Sequence, residues 1–353
     1  MESFTKQDIR SLSLDELESF FESIGEKNYK AKQVYNWLWK KSVFSFSEMT
    51  NISKSTRSIL EKKFIINNIS IDSLQKSNDG TIKNSIKLHD GLLVESVLIP
   101  SNKRMTACIS SQVGCSLDCS FCGTSLLKRI RNLNPDEIYD QVVTINKQSK
   151  SYYEKSLTNI VFMGMGEPLM NYKNVLLAIK KITEPESLGI SSRRITLSTS
   201  GIPKMIKKLA DDNVKFGLAV SLHSARQEIR EQIMPFAKNF HLDDLMDSLK
   251  YWHEKRKKII TFEYVIWKGI NDKYEDIISL INFCNQVPSK VNLIQYNSIG
   301  NSNFIQASKE KIKEYEEALE KANITFTTRR SRGQDIDAAC GQLANKTDQF
   351  STA

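Results

Sequence analysis

The sequence of 353 residues contains no apolar run of about 18 residues, the length that a transmembrane helix requires, so we expect no membrane span. Residues 1–4 lack a basic region followed by an apolar one, which argues against secretion and favours the cytoplasm. No internal repeat or low-complexity linker is evident either. Because the length exceeds the usual size of one domain, we expect one large domain with a small one appended.

Histidine and cysteine are scarce, with four and six residues respectively. Four of the six cysteines nevertheless fall within residues 108–122. Such clustering is a poor basis for the disulfide framework of a secreted protein, and it suits a metal centre in a reducing compartment. Cys284 lies in an apolar helical pattern and is expected to be a core residue.

The net charge is +9, from 50 Lys and Arg against 41 Asp and Glu, which favours a polyanionic partner without proving one. The excess is concentrated in residues 27–63, which hold nine basic residues and two acids. Aromatic residues are interleaved with these charges, namely Tyr29, Tyr35, Trp37 and Trp39. The combination predicts contact with nucleic acid, whereas a solvated helix face over a small aromatic core is the alternative.

The chain changes character along its length. Residues 12–63 follow helical periodicity, with Ser13 as the expected cap of the first helix. Strand-forming residues then surround the turn dipeptide Asp79-Gly80. The predicted boundaries are a helical RNA-binding domain at 1–70, a β extension at 71–100, the main domain at 101–345 and a C-terminal tail at 346–353.

After residue 100, strands and helices alternate, which predicts an α/β fold with a parallel sheet and outer helices, arranged as an open sheet or as a full or partial barrel. Small polar residues share one face of a strand, as Thr106, Cys108 and Ser110 do. Such faces at strand ends indicate a ligand cavity at the carboxyl mouth of a barrel. The predicted strands are 105–110, 160–163, 194–198, 216–221, 259–266, 291–296 and 324–328.

Cys115, Cys119 and Cys122 form a CxxxCxxC pattern directly after the first of these strands. Three closely spaced thiolates can hold three irons of one 4Fe–4S cluster and leave the fourth iron open. S-adenosylmethionine (SAM) can chelate that iron through its amino and carboxylate groups, after which an electron cleaves it to a 5′-deoxyadenosyl radical. Structural zinc is the alternative, but zinc requires a fourth ligand and no histidine lies near this loop.

The cysteine pattern resembles the signature of the radical-SAM superfamily, and other predicted strand ends fit a SAM site. Gly166 and Glu167 close the second barrel strand, where that superfamily receives the SAM amino group, although a plain glycine-rich turn is the alternative. Later strand ends are expected to supply partners for the ribose and carboxylate of SAM, namely Ser198, Ser221, Leu222, His223 and Asn297. For each of these residues the alternative is that it only caps the end of its strand.

Two further segments resemble one family within that superfamily. Residues 329–343, which contain Cys340, are similar to the C-terminal signature of the radical-SAM RNA adenine methyltransferases. Residues 109–115 are similar to the lead-in to the cluster loop of that family. The similarity covers most of the chain and is strongest to the enzymes that methylate carbon 2 of adenosine in large-subunit rRNA and beside the anticodon of tRNA. The resemblance therefore implies rRNA and tRNA as substrates.

The resemblance also implies a mechanism with two SAM molecules per turnover. Cys340 takes a methyl group from the first SAM, and the radical from the second SAM abstracts hydrogen from that S-methyl group. The methylene radical adds to carbon 2, and Cys108 then attacks the Cys340 sulfur, which frees the methylated base and leaves a disulfide. Glu95 matches the carboxylate that accepts the carbon 2 proton in this family, and an exposed edge-strand acid is the alternative.

Further partners and other functions follow from the same comparison. The implied partners are an electron donor of the flavodoxin or ferredoxin type and a thiol reductant, and the chain is expected to be a monomer.

A related class of enzymes methylates carbon 8 of the same rRNA adenosine with the same cysteine pair, but Pro168 after Glu167 and Arg332-Gly333 before Asp335 favour carbon 2. A non-catalytic iron–sulfur or zinc RNA-binding redox sensor would explain the basic segment but not Cys340.

Overall fold

The computed structural model of the protein describes residues 6–300 and 303–345. The predictions made for residues 1–4 and for the tail at 346–353 therefore lie outside the described residues. Among the helices that are described, none is both long and apolar enough to cross a bilayer.

A helical module comes first in the chain. Its helices and the two short parallel strands that join its ends are β1 (Gln7–Asp8), α1 (Leu14–Ser23), α2 (Asn28–Trp39), α3 (Lys54–Lys63) and β2 (Phe64–Ile65). Ser13 caps α1 as predicted, because its hydroxyl accepts from the Glu16 amide at 3.2 Å and the Glu16 carboxylate accepts from the Ser13 amide at 2.7 Å. Trp39 is buried, whereas Tyr29 is 53% exposed, so the aromatic residues of the basic segment are divided between core and surface.

A buried ion-pair network fastens this module to the main domain. Arg10 is only 8% exposed, and its guanidinium lies 2.8 Å from Asp140 and 3.1 Å from Asp136 of α4 (Pro135–Tyr153). Trp39 packs edge-on against Tyr139 of the same helix, with ring centres 5.2 Å apart. Buried charges are costly unless they are paired. Arg10 of the module and the two acids of α4 therefore need each other, which keeps the module packed against the main domain.

Three antiparallel strands follow the module, namely β3 (Ser70–Lys76), β4 (Ile82–Lys87) and β5 (Leu93–Pro100). Gly80 takes a φ of +86° in the turn between β3 and β4, as the dipeptide Asp79-Gly80 predicts. β5 pairs antiparallel with β6 (Met105–Cys108), the first strand of the main domain. The predicted β extension therefore contributes three strands to the main sheet.

From β6 onward, strands alternate with helices. The strands are β7 (Gln112–Val113), β8 (Arg131–Asn132), β9 (Asn159–Phe162), β10 (Ile195–Thr199), β11 (Gly217–Ser221), β12 (Ile260–Val265), β13 (Ser289–Ile294) and β14 (Phe326–Arg329). After α4 the helices are α5 (Tyr172–Thr183), α6 (Pro203–Asp211), α7 (Gln227–Ile233), α8 (Leu242–Arg256), α9 (Tyr274–Cys284) and α10 (Lys309–Lys321). Cys284 is buried at the end of α9, which confirms it as a core residue.

The main sheet has ten strands in the order β14-β13-β12-β11-β10-β9-β6-β5-β4-β3. All neighbours from β14 to β6 are parallel. Because β3 and β14 are the edges of this order, the sheet is a partial rather than a closed barrel. The α/β fold class predicted from the sequence is confirmed.

Two strands end two residues earlier than their sequence patterns predict. The strand predicted at 105–110 ends at Cys108, because the Ser110 amide donates to the Gln141 side chain at 2.9 Å instead of to a strand. The strand predicted at 291–296 ends at Ile294, because the Tyr296 amide donates to the side chain of Gln306. In both places a side-chain acceptor replaces the ladder and turns the backbone into a loop.

We expect Arg10→Ala to lower the free energy of unfolding by about 3–5 kcal/mol, because it leaves two acids buried without their cation. Urea denaturation followed by tryptophan fluorescence measures the change. The matched control is Lys32→Ala, whose exposed ion pair with Glu18 at 3.8 Å is worth about 1 kcal/mol or less. Equal shifts in the two variants would contradict the role assigned to Arg10.

Candidate active site

A cavity of about 230 Å³ opens at the carboxyl ends of the parallel strands. Each of these strands, or the residue after it, contributes to the lining: Cys108, Met163, Ser198, Ser221, Glu263, Ile294 and Arg329. Parallel neighbours bring their carboxyl ends to the same side of a sheet, and the sheet must curve for all of them to reach one cavity. The cavity lies where the sequence predicts one.

The cysteine loop forms one wall of this cavity, and all three of its cysteines line it. Backbone hydrogen bonds hold the loop in place: the Cys115 amide donates to the Leu127 carbonyl at 3.1 Å, and the Ser120 amide donates to the Ile233 carbonyl at 3.0 Å. All three thiols are free of disulfides. The chain therefore presents three thiols to one cavity without linking them.

The donor set fits an iron–sulfur cluster better than a single metal ion. Within the described part of the chain, no three His, Cys, Asp or Glu side chains converge where one ion could bind. A zinc ion needs such convergence, whereas the cysteines of a cluster bind different irons. Burial raises the pKa of Cys115 to about 11 and also raises the pKa of Cys119 and of Cys122, so metal binding at this loop must displace protons.

Glu167 ties together the ends of two strands beside the loop. Its carboxylate accepts from the Ser200 amide at 2.7 Å and from the Leu169 amide at 3.0 Å, and burial raises its pKa. Gly166 has a φ of +90°, and a Cβ atom there would lie 2.4 Å from the Cβ of Gln112. Only glycine therefore fits this turn. Gly166 and Glu167 both line the cavity.

The next two strands supply Ser198, Ser221 and His223 to the cavity wall. His223 takes a φ of +56°, a left-handed conformation that is costly for a residue with a Cβ. Its Nδ1 accepts from the Val265 amide at 3.2 Å, and burial lowers its pKa to about 3, so the ring is neutral and Nε2 carries the proton. Leu222 differs from the other predicted SAM contacts, because its side chain is buried away from the cavity.

Cys108 and Cys340 line the same cavity, and both thiols are free. Cys108 is buried at the end of β6, whereas Cys340 is an exposed residue. Desolvation raises the pKa of Cys108 to about 12 and raises the pKa of Cys340 above its usual value. The Arg329 guanidinium acts in the opposite direction on both and thus favours their thiolate forms.

The C-terminal segment, residues 329–345, carries Cys340 and is fastened to the turn between β3 and β4. The Asp335 carboxylate accepts from the Ser77 hydroxyl at 2.6 Å. In return, the Asp79 carboxylate accepts from the Gly333 amide at 3.0 Å. Two acids, one from each side, therefore fix the position of this segment over the sheet.

Glu95 holds the same segment just beyond Cys340. One of its oxygens lies 3.3 Å from the Lys83 ammonium group, and the other accepts from the amides of Ala344 and Asn345 at 2.7 and 3.1 Å. Glu95 is 2% exposed in a strand between β4 and β6, so the alternative of an exposed edge acid is wrong. It does not line the cavity in this arrangement.

Asn297 also contacts the C-terminal segment and lines the cavity. Its Nδ2 donates to the Cys340 carbonyl at 3.1 Å, and its Oδ1 accepts from the Gln334 side chain at 2.8 Å. The residue predicted as a SAM contact thus connects the loop after β13 to the loop of Cys340.

Sequence reasoning missed Glu263, a buried carboxylate of β12 in the cavity wall. Its Oε1 accepts from Asn292 at 2.9 Å, and Arg329 lies 3.7 Å from its Oε2. The available signal was an acid inside the otherwise apolar strand at 259–266. Burial raises the pKa of this carboxyl, and the Arg329 charge opposes that rise.

A partial barrel of parallel strands around a cavity with a CxxxCxxC loop defines a radical-SAM protein. Residues 109–281 match the family described as Radical SAM superfamily. Residues 7–66 match the family described as Ribosomal RNA large subunit methyltransferase N-terminal domain. This class uses SAM together with an iron–sulfur cluster.

Relatives and a solved structure cover nearly the whole chain. A protein of Christiangramia forsetii described as a probable dual-specificity RNA methyltransferase RlmN is 61% identical and covers 97% of each chain. A protein of Geotalea uraniireducens described as a dual-specificity RNA methyltransferase RlmN is 41% identical and covers 98% of each chain. The crystal structure of a radical SAM methyltransferase from Sphaerobacter thermophilus matches with a TM-score of 0.89 at 34% identity, covering 96% of this chain and 99% of that one. The chain therefore belongs to the RlmN family of radical-SAM methyltransferases, which confirms the resemblance seen in its sequence.

We expect Gly166→Ala to weaken SAM binding by about tenfold or more, which corresponds to 1.4 kcal/mol, because the new Cβ would displace Gln112 and the strand end. Isothermal titration of the iron-loaded protein measures the affinity. Gly91→Ala is the matched control, since Gly91 has a φ of +84° but open space around the position of a Cβ. If both variants lost affinity equally, backbone strain rather than the close approach to Gln112 would be responsible.

Proposed function

We propose that the protein methylates carbon 2 of adenosine in rRNA and in tRNA by a radical-SAM reaction. The observation that carries the proposal is that Cys108 and Cys340 line one cavity together with the three cysteines of the loop. Carbon 2 of adenine is an electron-poor C–H carbon and does not attack a sulfonium as a nucleophile. A methyl group must therefore travel by way of another atom, and a thiol beside the cluster loop can carry it. Relatives described as dual-specificity RNA methyltransferases support this assignment.

In the first half of the proposed reaction, the Cys340 thiolate takes a methyl group from one SAM. The new sulfur–carbon bond forms as the sulfonium–carbon bond breaks, and S-adenosylhomocysteine leaves. Burial raises the pKa of this thiol, and the charge of Arg329 opposes that rise and so favours the nucleophilic form. Cys340 lines the cavity in which the proposal places the methyl donor.

In the second half, a 4Fe–4S cluster bound by Cys115, Cys119 and Cys122 would supply the electron that cleaves a second SAM, whose radical takes hydrogen from the S-methyl group. The methylene carbon joins carbon 2, the carbon 2 proton passes to Glu95, and the electron released from the adduct would return to the cluster that supplied it. Cys108 then attacks the Cys340 sulfur: the disulfide bond forms, the bond from that sulfur to the methylene carbon breaks, and the methylene carbon takes a proton to become the methyl group. Two electrons from an external thiol restore the cysteines.

RNA binding is assigned in this proposal to the helical module. A base must leave its stack to reach Cys340, which costs a few kcal/mol and is easiest in a loop or bulge. The basic segment at 27–63 can offset this cost through phosphate contacts, with exposed Tyr29 available for stacking. A flavodoxin- or ferredoxin-type electron donor and a thiol reductant complete the proposed partners, while the cytoplasmic location and the monomeric state stay predictions.

The test of the proposed function is mass spectrometry of adenosines from rRNA and tRNA of cells with and without the gene. We expect 2-methyladenosine to disappear from both RNAs without the gene and to return with the wild-type protein but not with Cys340→Ala. An 8-methyladenosine product would overturn the carbon 2 assignment. A reduced, iron-loaded protein that cleaves no SAM would favour a redox sensor instead.

We expect Cys108→Ala to trap a covalent protein–RNA adduct, because the bond between Cys340 and the base then has no resolving thiol. Denaturing gel electrophoresis with labelled RNA detects the adduct. Cys284→Ala is the matched control, since this buried cysteine of α9 lies outside the cavity. Free RNA and free protein in the Cys108→Ala reaction would contradict the resolving role.

In the proposed role, Glu95 accepts the carbon 2 proton from a position next to the Cys340 segment. We expect Glu95→Gln to slow product formation by about 10²–10⁴-fold, as for the loss of a general base, while Cys340 still becomes methylated. Peptide mass spectrometry of Cys340 separates the two steps, and Lys83→Met serves as the control that removes the ion pair but keeps the carboxylate. Loss of Cys340 methylation in Glu95→Gln would instead show that Glu95 only fastens the segment.

A further inference from the structure

Arg230 of α7 is a buried cation whose hydrogen bonds all go to strand ends. It is 1% exposed, and its guanidinium donates to the Ser200 carbonyl at 2.6 Å and to the Ser221 carbonyl at 3.0 Å. It also donates to the carbonyl of Leu222. These three carbonyls belong to the carboxyl ends of β10 and β11, where the walls of the cavity begin.

No carboxylate pairs with this guanidinium within residues 6–300 and 303–345, and its Nε has no hydrogen-bond partner in the same part of the chain. Arg10 shows the contrast, because it is similarly buried but meets two acids, Asp136 and Asp140. Removing an isolated guanidinium from water is unfavourable unless an anion compensates its charge. The described side chains supply no such acid to Arg230, so the compensating anion has to be of another kind.

The Cys119 sulfur is the candidate anion, because Ile233 of the same helix belongs to one buried cluster with Leu117 and Cys119 of the loop, and a thiolate at Cys119 would attract the guanidinium. The same helix contacts the cysteine loop directly, because the Ile233 carbonyl accepts from the Ser120 amide at 3.0 Å. α7 therefore holds both the cation and the loop that carries the sulfur. The Phe236 ring, 6.0 Å from the guanidinium carbon, adds an apolar surface on another side.

We propose that Arg230 is a positioning residue for the iron–sulfur centre: its charge is the counter-ion of the thiolate-bound cluster at Cys119, and its hydrogen bonds hold β10 and β11 against the loop. The inference rests on the proposed function, because it needs a cluster on the three cysteines. Reduction adds one negative charge to such a cluster, and a fixed cation in a medium of low dielectric constant stabilises the reduced form. Arg230 thereby makes the cluster easier to reduce.

The test compares Arg230→Gln, which keeps two N–H donors but no charge, with Arg230→Lys, which keeps the charge. Each iron-loaded protein is titrated with reductant, and the reduced cluster is followed by electron paramagnetic resonance. The comparison is made at the potential at which half of the cluster in the unaltered protein is reduced. At that potential we expect Arg230→Gln to lower the ratio of reduced to oxidised cluster by about tenfold or more, which corresponds to a fall of 59 mV in the reduction potential of a one-electron couple. Arg230→Lys should stay within about threefold of the unaltered ratio, less than 30 mV on the same scale.

A merely structural role for Arg230 gives different results. If Arg230→Gln keeps the unaltered potential, or if Arg230→Lys shifts as far as Arg230→Gln, the counter-ion role is overturned. If Arg230→Gln folds but takes up no iron while Arg230→Lys loads fully, the charge is needed to receive the thiolates and the inference stands. If Arg230→Gln fails to fold, Arg230→Lys alone decides the question. An unaltered reduction potential in Arg230→Lys would then support the inference, and a shifted potential would contradict it. Failure of the proposed function is distinguishable, because it would show in the unaltered protein as the absence of SAM cleavage or of 2-methyladenosine, whereas the inference is decided by the potentials of the Arg230 variants.

Discussion

The arrangement of the site depends on the C-terminal segment crossing from one edge of the open sheet to the other. The segment leaves β14, an edge strand, and forms hydrogen bonds with the turn between β3 and β4 at the opposite edge and with Glu95 of β5. These contacts join residues 249 to 258 positions apart in the chain. Together with the hydrogen bond from Asn297 to the Cys340 carbonyl, they fix the position of Cys340 relative to Cys108. A partial barrel leaves the opening that this segment spans.

Polar contacts give this segment its direction, while Ala338 and Leu343 pack into the main core. Carboxylates of Asp335, Asp79 and Glu95 accept from hydroxyl and amide groups, so direction as well as distance is specified. Asp335 is exposed, so its hydrogen bonds can open locally at a lower free energy than those in the core of the sheet. Such a segment suits the proposed reaction, in which one sulfur must meet a methyl donor, a base and a second thiol in turn. A cysteine fixed in the core could meet only one of them.

Local patterns predicted much of the fold, because turn chemistry, capping and strand alternation depend on neighbours in sequence. The cap at Ser13, the turn at Asp79-Gly80 and the alternation of parallel strands with helices in the main domain are of this kind. The burial of Glu95, the contact of Glu263 with Arg329 and the isolation of Arg230 could not be read in this way. Each depends on which distant strand becomes a neighbour, and only the assembled sheet determines that.

Charge is distributed across the cavity in a way that suits two different ligands. Buried acids, Glu167 and Glu263, and the cysteine thiols lie on the inner walls, whereas Arg329 and Arg332 have side chains that are 42% and 45% exposed in the segment at the mouth. SAM carries a sulfonium cation, and RNA carries phosphate anions. An inner wall of acids with basic residues outside therefore matches a cationic donor bound within and a polyanion held at the entrance. Arg230 is the exception, because it is a basic residue on the inner side, close to Cys119. A thiolate-bound cluster would concentrate negative charge at that point, and the neighbouring acids cannot neutralise it.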